Sequence, residues 1–345
     1  MPTRTEQSSA KPRVEDRSSR RWIRRRLGQL DPRKDFAEIF RLNTVFQVNG
    51  FMSDWVGAQT MPRFATTPSA PAIYRGGKGK LMLTSDRRLH DTGNHALVWA
   101  EYGLDAPQSK HSVDMVNALH TKYAQEYPDA FDDPEPWIYV LGYEICGVYM
   151  ILNDYLGYPL PDEKSRTAAV LFGKKLAEMV VMDDGRFLTE IISGMDDWDD
   201  WVAVVREYES RIWPYSHEAA MCAAAAIGNF QKRFPGPLRP FGRALVTSFW
   251  YEGMYPGAGV ERPGRLMRWA ATAFMKSLMA VAPLLPDSKE SWAEKQQRLY
   301  AEKGRPMAHV LKVTQGAAGA GTGGCPVGFG RGTATGSDAS GPKEG

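Results

Sequence analysis

Long stretches of the chain repeat apolar residues every three to four positions, which is the period of an amphipathic α-helix. This pattern predicts helices over residues 86–102, 109–127, 136–156, 162–182 and 265–281. Gly and Pro clusters separate these stretches, and the alternating patterns typical of β-strands are scarce. The sequence therefore predicts an all-α fold, built as a single multi-helix domain.

The ends of the chain differ in composition from this body, which we place at residues 35–310. Residues 311–345 are rich in Gly, Ala, Ser and Thr, so we expect a disordered tail. Residues 1–34 form a basic segment, for which a solvated, partly disordered arm is the favoured interpretation. The alternative is peripheral contact with anionic lipid, in which Trp22, Ile23 and Leu27 enter the membrane interface.

The longest apolar stretch covers residues 266–285, and Arg268 and Lys276 interrupt it. A transmembrane helix needs about 20 predominantly apolar residues. We therefore expect this stretch to form a buried or membrane-apposed helix.

Composition narrows the class of protein further. With 43% hydrophobic and 24% charged residues, the chain has the profile of a globular protein rather than a wholly disordered one. Its three cysteines form no C-x-x-C pair, which fits a reducing compartment and predicts a cytoplasmic protein. The net charge of +3 is concentrated near the N-terminus, so the body is not a basic nucleic-acid-binding surface.

Common catalytic signatures are absent from the sequence. It contains no phosphate-binding loop, no dinucleotide-binding glycine motif, no G-x-S-x-G and no H-E-x-x-H. None of its six histidines follows a Glu by three positions, which argues against a di-iron carboxylate bundle.

Two of the predicted helices carry candidate chemistry. One face of helix 86–102 carries polar and aromatic side chains at helical spacing: Arg88, Thr92, His95 and Trp99, with Asp91 beside them. This stripe is too polar for an ordinary core face, and the alternative is an exposed face with an Arg–Asp pair.

The next helix, 109–127, places His120 on the same face as Val113 and Val116. The periodicity therefore directs His120 inward, among aliphatic groups. A buried imidazole must be hydrogen-bonded or must bind something. One interpretation is a core histidine bonded to a backbone carbonyl; the other is a metal ligand, for which an apolar environment keeps the ring neutral.

The motifs on these helices, RRLHDT at 87–92 and VNALHTKY at 116–123, resemble a haem b oxygenase family. This family joins the MpaB-type enzymes of the mycophenolate pathway to the latex-clearing rubber oxygenases. The resemblance continues through DPEPW at 133–137 and GYPLPDE at 157–163. It implies a globin-like helical domain with a buried haem pocket. Where the rubber-cleaving branch has a lysine that caps the iron, this chain has Asp91, so it is closer to the MpaB branch.

The resemblance implies that His120 is the proximal ligand of a haem iron and that Arg88 and Thr92 lie at the haem pocket. We expect Arg88 to pair with a haem propionate or to stabilise negative charge that develops on oxygen. Thr92 would donate a hydrogen bond to oxygen, and Asp91 would orient Arg88 or accept a proton. These three residues are the candidate catalytic groups.

The function that follows is an oxidoreductase: a haem-dependent oxygenase that uses dioxygen on an apolar, olefinic substrate of isoprenoid or lipid type. Oxidative cleavage of a C=C bond is the reaction that the resemblance implies. The alternative is a non-catalytic helical protein that binds haem or an apolar ligand. His217 is a minor candidate for a second ligand, and the Cys325–Pro326 dipeptide in the tail is a weak haem-related signal.

Overall fold

The computed structural model describes residues 16–302, apart from the side chains of residues 85–92. The α-helices of this region, numbered in chain order, are α1 (Trp22–Gln29), α2 (Phe36–Thr44), α3 (Gly50–Ala65), α4 (Ala70–Tyr74), α5 (Lys80–Leu83), α6 (Ser85–Tyr102), α7 (Pro107–Glu126), α8 (Pro134–Gly142), α9 (Val148–Leu156), α10 (Glu163–Ala177), α11 (Trp198–Ser210), α12 (His217–Gln231), α13 (Arg239–Thr247), α14 (Met254–Gly257), α15 (Arg265–Val281) and α16 (Trp292–Glu302). Within this region no β-strand forms, and Val181 and Phe187 make only an isolated bridge. The predicted all-α, multi-helix fold is confirmed.

Several helix starts follow directly from the local sequence. The side chains of Asn49, Asp162 and Ser216 each accept a hydrogen bond from a backbone N–H in the first turn of the helix that follows. Such N-caps satisfy amide groups that have no partner within the helix. Polar residues between the apolar stretches therefore set where these helices begin.

Helices α6 and α7 form an antiparallel pair because the link between them is short. Gly103 ends α6 with φ at 74°, a backbone conformation that favours glycine. Pro107 then occupies the first position of α7, where its missing N–H is not needed. This pair carries the RRLHDT and VNALHTKY motifs.

A π-helical turn joins α8 to α9 without a break in the helix axis. It covers Tyr143–Gly147 and lies in the main hydrophobic core, where Tyr143, Ile145 and Cys146 are buried. Gly147 fits the ring of Tyr143, since a Cβ at Gly147 would lie 2.3 Å from a carbon of that ring. π-Helical turns are rare and occur often at functional sites.

The basic N-terminal segment differs from the predicted solvated arm in the part that is described. Trp22 and Ile23 are buried in a cluster with Leu30, Ile39 and Leu42. This segment packs on the chain that follows α15, where Trp22 Nε1 donates to the carbonyl of Ser288 at 2.9 Å and Ile23 N to Asp287 Oδ2 at 2.8 Å.

Trp22 and Ile23 therefore belong to a hydrophobic core cluster, and Leu27 is half-buried beside them. The basic residues of the segment remain outside: Arg20, Arg21, Arg24 and Arg25 are all exposed. The expectation for residues 1–15, and that for the Gly-rich tail over 311–345 with Cys325–Pro326, lie outside the described residues.

The five predicted helices agree with the structure to within a few residues, with two differences. The stretch predicted as one helix over 162–182 ends at Ala177, because the chain turns there toward the bridge between Val181 and Phe187. The stretch over 136–156 contains the π-helical turn. In the described region, none of the helices combines the length and the apolar character that crossing a bilayer requires.

Candidate functional site

His120 lies in the last two turns of α7, and its imidazole is half-buried. Its ring centroid lies 5.0 Å from that of Trp137, in an edge-to-face arrangement, and 5.9 Å from that of Phe131. The periodicity predicts aliphatic neighbours for His120, and these two contacts are aromatic. Val113, earlier in α7, reaches the main core, whereas the end of α7 packs on a smaller cluster formed by Ala72, Ala130 and Phe131.

The stripe predicted on α6 faces α7 in the half whose side chains are described. His95 Nδ1 lies 2.8 Å from Ser112 Oγ, and Trp99 Nε1 donates to the same oxygen at 2.9 Å. Both His95 and Trp99 are half-buried. This part of the stripe is therefore a contact between two helices and not an exposed face.

Arg88, Asp91 and Thr92 belong to the first two turns of α6, and their side chains lie outside the described residues. The backbone register of the helix pair is defined further along. Ser109 Oγ donates to the carbonyl of Val98 at 3.3 Å, and Ser112 meets His95 one turn further along α7. Continued at the same register, the antiparallel pairing brings position 120 level with the first turn of α6.

One face of the continuous helix α8–α9 is more accessible than the rest of it. Trp137, Val140 and Val148 are half-buried and Glu144 is exposed, whereas most of the residues between them are buried. These four positions recur at helical spacing, so they form a single stripe. The stripe begins at the ring that His120 contacts and reaches Glu144 two turns later, about 10 Å along the axis.

Glu144 is the only charged residue in the π-helical turn. Although its side chain is accessible, the surrounding protein desolvates it and raises its pKa to about 7. Glu144 is therefore an accessible carboxyl group on an otherwise apolar stripe, which we call the α8–α9 stripe, and its raised pKa favours the protonated form near neutral pH.

A buried ion pair supports the π-helical turn from the opposite side. Arg63 Nε donates to Glu209 Oε1 at 2.9 Å, and Tyr139 donates its hydroxyl to the same oxygen at 2.7 Å. The Arg63 guanidinium also donates to the carbonyls of Gln59 and Phe249, and it lies 5.7 Å from the ring centroid of Tyr143. Burial raises the pKa of Tyr143 to about 12, so its hydroxyl stays neutral. These bonds join α3, α8 and α11, and they fix the segment that carries Glu144.

His217 stands at the first position of α12, and it is exposed. Its ring packs edge-to-face on Tyr74, with a centroid distance of 5.6 Å. This residue therefore lies on the surface and is not part of the α8–α9 stripe.

Glu144 is not among the site residues predicted from the sequence. A signal was present: Glu144 is the only charged residue in the stretch 136–153, which is otherwise almost entirely apolar. The ion pair between Arg63 and Glu209 had no such signal, since the two residues are far apart in the chain.

Among the described residues, no group of three or more His, Cys, Asp or Glu side chains is arranged to hold a metal ion. A haem iron needs a different arrangement, because the porphyrin supplies most of its ligands and the protein supplies an axial side chain. No model of a known protein family matches the chain, and no curated protein is significantly similar to it.

Proposed function

We propose that this protein is a haem b-dependent oxygenase that acts with dioxygen on an apolar, olefinic substrate. The observation that carries the proposal is the half-buried imidazole of His120 against Trp137, at the start of the α8–α9 stripe. The motif resemblance between residues 87 and 123 supports the same conclusion.

The residues present fit a haem group in their chemistry. His120 supplies an imidazole, a side chain that binds haem iron through a ring nitrogen, and its ring packs against Phe131 and Trp137. Arg88 would pair with a propionate from the first turn of α6, the level of the helix pair at which His120 lies. When bound, the haem would supply the binding and activation of dioxygen.

The side chains of the α8–α9 stripe would act on the substrate and on protons. Trp137, Val140 and Val148 would exclude water and offer apolar contact to an isoprenoid or lipid-like chain. Glu144 can hold or release a proton at neutral pH, because its pKa is raised to about 7. Thr92 would donate a hydrogen bond to oxygen, and Asp91 would orient Arg88.

Oxidative cleavage would insert both atoms of dioxygen across one C=C bond and leave two carbonyl ends. The test is oxygen uptake by the haem-loaded protein with an isoprenoid alkene, compared with the saturated chain of the same length. We expect one dioxygen consumed for each double bond cleaved, with carbonyl products, and no uptake with the saturated chain.

Haem-loaded protein that consumes no oxygen with any alkene in a series of chain lengths would contradict the oxygenase. That result would favour the alternative, a helical protein that binds haem or an apolar ligand without catalysis.

A further inference from the structure

Helix α15 presents an apolar face to solvent, and this feature is independent of the proposed function. Of its 17 residues only Ala271 and Met275 are buried. On the opposite side Leu266 is 78% exposed and Trp269 is 69% exposed. Large apolar side chains in such numbers on one exposed element mark an interaction surface.

The outward face is mainly apolar. Helical spacing places Leu266, Trp269, Ala273 and Ala280 on one side, together with the exposed Ser277, away from the buried Ala271 and Met275. Beyond the end of α15, Leu284 and Leu285 are exposed as well. At 1.5 Å per residue, the helix alone extends this face over about 25 Å.

Positive charge borders this face, and negative charge is absent from it in sequence. Residues 262–286 contain Arg262, Arg265, Arg268 and Lys276 but no Asp or Glu, and Arg262 forms an ion pair with Glu252. Arg265 and Lys276 lie on the same edge of the apolar side, about three helical turns or ~16 Å apart along the axis. Within the described part of the chain, no carboxylate forms an ion pair with either of them.

The start of α1 and the residues before it add further cations at the end of the same surface. Arg20 Nη2 donates to the carbonyl of Leu284 at 2.9 Å, and Arg21 Nη1 donates to that of Leu285 at 2.6 Å while it lies 3.6 Å from Asp287 Oδ1. Arg24 and Arg25 are exposed on the following turn, where Arg25 pairs with Asp16 at 3.0 Å. The basic N-terminal segment is thus fixed beside the apolar face of α15 by backbone contacts.

We infer that α15 docks flat on the surface of an anionic phospholipid bilayer, with Leu266 and Trp269 in the interface and the cations of α15 and α1 at the headgroups. An apolar helix face with a cationic border, and a Trp among its exposed residues, is the pattern of a helix that lies in the membrane interface. A protein partner that fits this face would need an apolar groove surrounded by acidic residues. A bilayer that contains phosphatidylglycerol offers both an apolar interior and negative charge over its whole surface.

The test is flotation of the full chain with phosphatidylcholine vesicles, with and without phosphatidylglycerol. We expect binding to the anionic vesicles that weakens at high salt, and at least about tenfold weaker binding after Leu266→Glu with Trp269→Glu. Replacing Arg265 or Lys276 by Gln should weaken binding about fivefold each. The matched control is Ile212→Glu, because Ile212 is also 78% exposed but lies outside α15.

Circular dichroism and light scattering complete the experiment by showing that each variant is folded and in what oligomeric state. The inference would be overturned if Ile212→Glu weakened vesicle binding as much as the α15 variants do. It would also be overturned if the parent protein did not bind anionic vesicles. The parent could instead be a dimer that does not bind vesicles. If Leu266→Glu with Trp269→Glu then converted it to a monomer, a second copy of the chain would be the partner that covers this face.

Discussion

His120 contacts one end of the α8–α9 stripe and Glu144 lies on it, and the two residues differ in how clearly the sequence singles them out. The helical period and the VNALHTKY motif single out His120, but they assign it aliphatic neighbours. In the structure its partners are Phe131 and Trp137, which lie beyond the end of α7. Periodicity describes only the face of one helix, so it cannot specify which segment packs against that face.

Glu144 makes a prediction at the residue scale about pH. Its pKa is raised from 4.5 to about 7 in the folded protein, so the folded state holds a proton that the unfolded state releases earlier. Stability should therefore fall as pH rises through this window. Glu144→Gln removes the ionisable group, and we expect the variant to gain in Tm relative to the parent as pH rises from 4.5 to 7.

Thermal melts of parent and variant across this pH range measure the effect. Glu207→Gln is the control, because the Glu207 side chain is 76% exposed to solvent on α11. Curves of Tm against pH that run parallel for the parent and Glu144→Gln would contradict the desolvation of the Glu144 carboxyl group by the surrounding protein.

At the scale of elements, apolar periodicity predicts the helices well because each long helix buries one face. α6, α7 and α15 lie where the pattern places them, whereas α10 ends at Ala177 instead of at residue 182. The π-helical turn has no counterpart in that pattern, since one extra residue in a helical turn changes the spacing only locally. Its position depends on packing against other segments, such as Arg63 on the ring of Tyr143.

Gly147 gives a prediction for this element. Gly147→Ala would place a Cβ 2.3 Å from the ring of Tyr143, so the ring or the helix must shift. We expect a loss of about 1–3 kcal/mol in the free energy of unfolding, the usual effect of overpacking a core. The measurement is chemical denaturation.

Gly228→Ala is the matched control for Gly147→Ala, because Gly228 also lies in a helix and a Cβ there would meet nothing within 4 Å. This control should be neutral, or more stable by about 0.5–1 kcal/mol. Equal effects at the two positions would show that the close packing of Tyr143 on Gly147 is not needed.

At the scale of the whole molecule, composition and pattern predict the all-α class, and the structure confirms it. The N-terminal segment is the main difference, because its charge suggests a solvated arm whereas Trp22 and Ile23 are buried against residues 287 and 288. These contacts connect parts of the chain that are more than 260 residues apart. Local composition contains no information about such contacts.

The central claim is that His120 holds a haem group, and the direct measurement is the haem content of protein purified after expression with haem supplied. We expect the parent to retain haem with a Soret band near one equivalent. His120→Ala should lose this stoichiometric retention, whereas His111→Ala, on the same helix, should keep it. Equal haem content in the parent and His120→Ala, or a parent that binds no haem at all, would contradict the claim.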